Sequence, residues 1–127
     1  MITGISIVAV PVDDIDEAVR FFCDLLGMEK RKDLSGDEGE RYVEVAPPGS
    51  PVALSPYTQY DRPPGKATIG EYSRMVLRVA DVRAAHRELS AKGVRFESEP
   101  FELARGTFAV LLDPWDNVFG LTDSADF

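Results

Sequence analysis

The sequence predicts an α+β fold assembled from two tandem copies of one strand–helix–strand–strand–strand unit. Short β-branched runs of strand length are interrupted by only two stretches of helical period, each opened by an Asp and closed by a Gly. The frame also repeats: Val12-Asp13-Asp14 aligns with Val79-Ala80-Asp81 at an offset of 67, and Gly27-Met28 with Gly93-Val94 at an offset of 66. Finally, 127 residues suit one domain. A half of about sixty residues would bury too little surface alone, and two halves placed side by side can share one sheet and one core.

The elements follow in order. Ile5-Ser-Ile-Val-Ala-Val-Pro-Val12 is an apolar run of strand length, with Pro11 marking an edge or an end. Asp13-Asp14 offers an N-cap, and Ile15, Ala18, Val19, Phe22, Leu25 and Leu26 recur at helical spacing up to Gly27. Strands are predicted over residues 28–32, 40–46 and 51–55, with residues 33–39 as an acidic, solvated turn. Residues 57–70 carry Pro63-Pro64-Gly65 and no apolar period, so they read as a linker between a first module (1–56) and a second (71–127). The second module repeats the order: a strand over 71–79, a helix with Val82, Ala85, Leu89 and Ala91 between Asp81 and Gly93, and strands over 94–97, 107–112 and 118–122.

Composition narrows the function. Apolar residues are 44% and charged residues 28%, an ordinary globular balance. Lys plus Arg is 14 against 22 Asp plus Glu, a net charge of −8. Such a chain is repelled by phosphate backbones and anionic surfaces, so neither nucleic acid nor membrane is the expected partner. No apolar run reaches spanning length and no secretory leader opens the chain, so a cytoplasmic protein is expected. One cysteine, Cys23, fits a reducing compartment, and one histidine, His86, leaves little histidine-based metal chemistry.

Val8-Ala-Val-Pro-Val-Asp-Asp14, Phe21-Phe-Cys-Asp-Leu-Leu-Gly27, Val76-Leu-Arg-Val-Ala-Asp-Val82, Leu89-Ser-Ala-Lys-Gly-Val-Arg-Phe96 and Asp113-Pro-Trp-Asp-Asn-Val-Phe-Gly-Leu121 stand in one order along the chain. On these motifs the sequence resembles the vicinal oxygen chelate superfamily, which holds glyoxalase I, bleomycin-resistance proteins and extradiol dioxygenases. The resemblance implies paired βαβββ modules forming a cup-shaped mixed sheet, with helices on the convex side and a ligand in the concave side. It is specific for the fold and not for one activity.

Strand alternation assigns faces independently. Val8, Val10 and Val12 face the first helix, and Ile7, Ala9 and Pro11 the cup. Met75, Leu77 and Val79 face the second helix, leaving Tyr72, Arg74, Val76 and Arg78 toward the cup. In the last strand Phe119 and Leu121 pack inward while Val118, Gly120 and Thr122 face the cup.

Metal-using members of the superfamily place His, Gln or Glu at up to four cup positions. The resemblance maps these to Ile7, Arg74, Gly120 and either Ala53 or Leu54. An alkyl chain has no lone pair, glycine has no side chain and arginine stays protonated, so this set does not hold a divalent cation. No cofactor is expected. Metal-dependent isomerisation, ring cleavage and thiol addition lose their Lewis acid with it.

The remaining candidates form two groups. Arg74 and Arg78 would grip an anionic group, or else form an internal ion pair with Glu44 or Glu71. Tyr42, Tyr57, Tyr60, Tyr72, Phe101, Phe108 and Trp115 would rim the cup and stack on a planar ligand, or else pack as core and dimer contacts. Trp115 reads as an exposed indole in a tight turn, and Asp116 as a residue tolerating positive φ there. His86 reads as a boundary histidine on the convex side and Cys23 as a small apolar filler.

The expected ligand-binding set is Ile7, Tyr42, Glu44, Leu54, Tyr57, Tyr72, Arg74, Arg78, Phe108, Trp115 and Gly120, with no catalytic residue among them. The expected function is metal-independent binding of a small aromatic or amphiphilic molecule by a homodimer, as in bleomycin-resistance-like sequestration. The alternative is a glyoxalase-like lyase or isomerase using Glu44, Tyr42 or Tyr72 for acid–base chemistry. A blander reading is an accessory protein that makes its contacts through the cup or the 57–70 segment.

Overall fold

Two β-sheets, each with a helix, arise from the two halves of the sequence. The computed structural model describes residues 5–39, 41–58, 75–104 and 106–125. The chain divides into compact units at Met1–Ile69 and Gly70–Phe127. Tyr60, Tyr72 and Arg74, with most of the 57–70 segment, lie outside the described residues.

The first unit runs β1 (Ile7–Pro11), α1 (Ile15–Val19), a π-helical turn (Arg20–Leu25), β2 (Glu29–Ser35), β3 (Arg41–Ala46) and β4 (Ala53–Tyr57). Its sheet order is β1-β4-β3-β2, with β1 parallel to β4 and the other pairs antiparallel. β2 continues through Asp33-Leu34-Ser35, which sequence reading assigned to the turn. Arg41 Nε and Nη2 each bond the Asp33 carboxylate at 2.9 Å and hold the two strands together there. A register shift between Lys30 and Lys32 leaves Arg31 outside the ladder, and its guanidinium donates to the carbonyls of Pro47 (3.0 Å) and Ser50.

The second unit runs β5 (Met75–Arg78), α2 (Val82–Ala91), β6 (Arg95–Phe96), β7 (Phe101–Leu103), β8 (Gly106–Leu112) and β9 (Val118–Thr122). Its order is β5-β9-β8-β6, again with one parallel pair, β5 with β9, and β7 also pairs with β8. β7 is an addition to the predicted pattern. Its residues Phe101, Glu102 and Leu103 are all exposed, so no buried apolar period announces it.

The two helices are built alike. Asp14 accepts a hydrogen bond from the Glu17 N–H at 2.8 Å, and Asp81 from the Ala84 N–H at 2.9 Å, so each caps the first turn. Each helix is closed by a glycine with positive φ, Gly27 at 79° and Gly93 at 92°. After α2 the Val94 N–H reaches the Leu89 carbonyl and the Gly93 N–H reaches that of Ser90, a Schellman closure. The first helix is one residue longer between its caps. It absorbs the extra residue as the π turn, in which the Leu26 N–H bonds the Phe21 carbonyl five residues back. The change of repeat offset from 67 to 66 therefore has a physical location.

Each core lies on one face of its sheet. Val10, Val43 and Val45 are fully buried, with Ala18 and Phe22 of the helical segment; Phe21 stands edge-on to Phe22 at 5.3 Å. In the second unit Val82, Val94, Ala109, Leu111, Phe119 and Leu121 are buried. His86 packs its ring on Phe96 at 4.4 Å on this side, a boundary position as the helical period requires. The β8–β9 turn is knotted by a buried carboxylate. Asp113 accepts from the N–H groups of Trp115 and Asn117, both at 2.9 Å, and from Asn117 Nδ2 at 2.7 Å. Burial nevertheless pushes the Asp113 carboxyl up. Asp116 takes φ 68° in this turn, the conformation its type tolerates, and pairs with Arg95 at 2.7 Å.

Candidate functional site

The open face of the second sheet holds a cavity of about 320 Å³, lined by Met75, Val76, Glu97, Phe108, Val110, Val118 and Gly120. That volume lies at the small end of sites that take drug-sized molecules. Its floor is one row across four chain segments. Val76 is paired with Gly120, Gly120 with Val110, and the Glu97 N–H donates to the Val110 carbonyl at 2.9 Å. Phe108 and Val118 lie two residues along their strands from Val110 and Gly120, hence on the same face. The alternate residues, Leu111, Ala109, Phe119 and Leu121, make the core.

Gly120 gives the cavity its shape. A Cβ at this position would stand 2.4 Å from Phe108 Cζ and 3.2 Å from Val76 Cγ2, so the Phe108 ring lies where any side chain at 120 would begin. The ring is supported from β7 by Phe101, with centroids 5.9 Å apart. Gly120 is also a position where the resemblance expects a metal-binding Glu. Neither the donor chemistry nor the space fits: Ile7 and Ala53 carry only alkyl groups, and Phe108 fills the room above Gly120. Among the described residues no group of three or more His, Cys, Asp or Glu side chains is placed to hold a metal ion.

The open face of the first sheet is more polar. Tyr42 donates to Glu44 Oε2 at 2.8 Å, and Lys32 Nζ lies 3.3 Å from the same oxygen. Burial and the neighbouring carboxylate raise the Tyr42 hydroxyl; the Tyr42 hydrogen bond, with the Lys32 ammonium, lowers the Glu44 carboxyl. Both shifts lead away from neutral pH, which suits a fixed donor–acceptor pair and not a proton-transfer pair. By alternation Ile7, Ala53, Ser55 and Tyr57 share this face with Tyr42 and Glu44.

Several sequence assignments change. Leu54 pairs with Val45 of the core face and Ala53 with Ile7, so by alternation Ala53 is the one of those two alternatives that shares the open face, though both side chains are buried. Arg78 is exposed and donates to the Ser124 carbonyl, and Glu44 is paired with Lys32 in place of an arginine. Trp115 is half-buried in the Asp113 turn and does not line the cavity. Thr122 is buried, its hydroxyl bonded to the Thr107 carbonyl at 3.1 Å, so it closes the sheet without lining the cavity. Phe108 and Gly120 do meet at the cavity. Val110 and Glu97 join them without having been singled out, and so does Met75, which strand alternation assigns to the helix face. The Glu97 signal was available, because Val94 and Phe96 alternate with it and place it on the opposite face. Cys23 is half-buried, and burial raises its thiol above the ordinary value, which keeps it protonated and unreactive.

These features define a class, and comparison with known proteins agrees. The sequence profile of the Glyoxalase/Bleomycin resistance protein/Dioxygenase superfamily matches residues 4–121, and the chain belongs to that superfamily. Among solved structures it is similar to TnmS3, described as an antibiotic binding protein from Streptomyces sp. CB03234, at 29% identity and TM-score 0.84, covering 98% of each chain. UcmS2 is 33% identical with TM-score 0.84, over 98% of this chain and all of the other. The uncharacterised protein YetH of Bacillus subtilis is 28% identical over 123 residues, 97% of this chain and 100% of YetH. No helix among the described residues is long and apolar enough to cross a membrane.

Proposed function

We propose that this protein binds a small aromatic or amphiphilic molecule without a metal, in the manner of a sequestering resistance protein. The observation that carries the reading is the apolar cavity on the open face of the second sheet, where Gly120 admits the Phe108 ring. Its likeness to an antibiotic binding protein over nearly the whole chain supports it. Tyr42, Glu44, Tyr57 and Ile7 on the open face of the first sheet, and Tyr72 and Arg74, are proposed as further ligand contacts. The protein acts as a cytosolic homodimer in this reading. Ile5 and Leu34, 69% and 59% exposed, are apolar surface that a second copy would cover.

The test is a titration with the neutral fluorescent probe N-phenyl-1-naphthylamine, alongside elemental analysis and native mass spectrometry of the purified protein. Saturable binding by metal-free protein, abolished by Val110→Glu in a folded variant, is the expected result. Absence of saturable binding overturns the proposal, as does binding that requires a stoichiometric divalent metal.

A further inference from the structure

Among the described residues that line the cavity, one is charged. Glu97 ends the row that runs from Val76 through Gly120 and Val110, and every other described lining residue is apolar. Among the described residues its carboxylate has neither an ion pair nor a hydrogen-bond partner, unlike Glu44, Glu99 and Glu102 elsewhere in the protein. Water satisfies it in the free protein, since Glu97 is exposed. An apolar molecule that fills the cavity displaces part of that water. A carboxylate that loses water without gaining a donor is costly, and one that meets a second anion is worse placed still. A ligand bearing a cation at one end offsets the loss with a charge-assisted hydrogen bond.

We infer that the cavity selects apolar or aromatic molecules carrying an amine that is protonated at neutral pH, with Glu97 as the specificity-determining residue. This rests on the proposed small-molecule binding and names its ligand class. The aromatic body lies against the Phe108 ring, Val76 and Val110, and the ammonium points along the row toward Glu97. Neutral isosteres bind through the apolar contacts alone, and carboxylates bind least.

Three probes of one shape test it: 1-naphthylmethylamine, 1-naphthylmethanol and 1-naphthoate, each displacing N-phenyl-1-naphthylamine. The amine is expected to bind about three- to fivefold more tightly than the alcohol, the range of a partly exposed ion pair, and the carboxylate more weakly than either. The preference shrinks as salt is raised. In Glu97→Gln the amine falls to the level of the alcohol, whose own affinity is unchanged. Glu88→Gln on α2, which removes the same charge from the opposite side of the sheet, leaves the amine preference intact. If all three probes bind equally, or if Glu88→Gln acts as Glu97→Gln does, the selectivity is not set by Glu97 and the inference fails while the cavity stands. If none of the probes binds and the naphthylamine dye does not either, the underlying binding proposal fails.

Discussion

Replacing Gly120 by Ala adds one methyl group to the floor of the cavity, and the structure says where it goes. The new Cβ stands 2.4 Å from Phe108 Cζ and 3.2 Å from both Phe108 Cε1 and Val76 Cγ2. Unbonded carbons rest at about 3.5–4.0 Å, so the Phe108 ring must withdraw by about 1 Å. Two effects oppose each other. Gly to Ala inside a strand lowers the entropy of the unfolded chain and stabilises by roughly 0.5–1 kcal/mol. Overpacking a fitted ring costs about 1–3 kcal/mol, and Phe101 on its far side limits retreat. Overpacking wins, with a net loss of roughly 1 kcal/mol. Urea denaturation near neutral pH reads this as a lower midpoint at unchanged slope. In a Phe108→Ala background the same substitution meets no ring, so it is neutral or slightly stabilising. The coupling in the double-mutant cycle is then about 1–2 kcal/mol. A Gly120→Ala protein as stable as the parent, with no coupling to Phe108, would refute the account of Gly120 and of the cavity floor.

Two further predictions concern the framework. Asp33→Asn removes the paired bonds to Arg41 and the 2.9 Å bond to Lys30, and these partners hold the Asp33 carboxyl well below the ordinary range. Because its folded-state pKa is depressed, its contribution is full above the unfolded value of about 4 and is lost as pH falls below it. The urea midpoint of the variant should therefore lie below the parent near neutral pH and converge on it in acid; a gap independent of pH is the contrary result. Asp113→Ala leaves the N–H groups of Trp115 and Asn117 and the buried Asn117 amide without their acceptor, a loss of about 2–3 kcal/mol. A thermal-unfolding loss below about 1 kcal/mol would show that the turn does not depend on that carboxylate.

The framework was legible because its signals are local. Asp14, Gly27, Asp81 and Gly93 act within a few residues of themselves, and their spacing alone locates both helices. β1, β3, β8 and β9 carry apolar residues at alternate positions, and those faces are the ones buried. β7 was not legible. Phe101, Glu102 and Leu103 bury no alternate residue, and only pairing with β8 makes them a strand. The end of β2 was missed for a related reason. Its residues, Leu34 included, are exposed, and the partner that holds Asp33, Arg41, comes from β3.

The site divides in the same way. That Ile7, Gly120 and Ala53 or Leu54 offer no metal donor follows from residue identity, since ligation depends on lone pairs that the sequence lists atom by atom. The open-face placement of Val76, Val118 and Gly120 follows from a period of two. The choice between Ala53 and Leu54 waited on the Val45–Leu54 pairing, because a shift of one residue exchanges the faces. The bonding of Arg78 to Ser124 and of Glu44 to Lys32 waited on tertiary structure too, because a long charged side chain takes whichever partner the fold brings within reach. So did the meeting of Gly120 with Phe108, and of Glu97 with Val110. Residue identity determined which donors the mapped metal positions offer, and the period of two placed Val76, Val118 and Gly120 on one face. Strand pairing, which joins residues far apart in the chain, decided which of them stand together around the cavity.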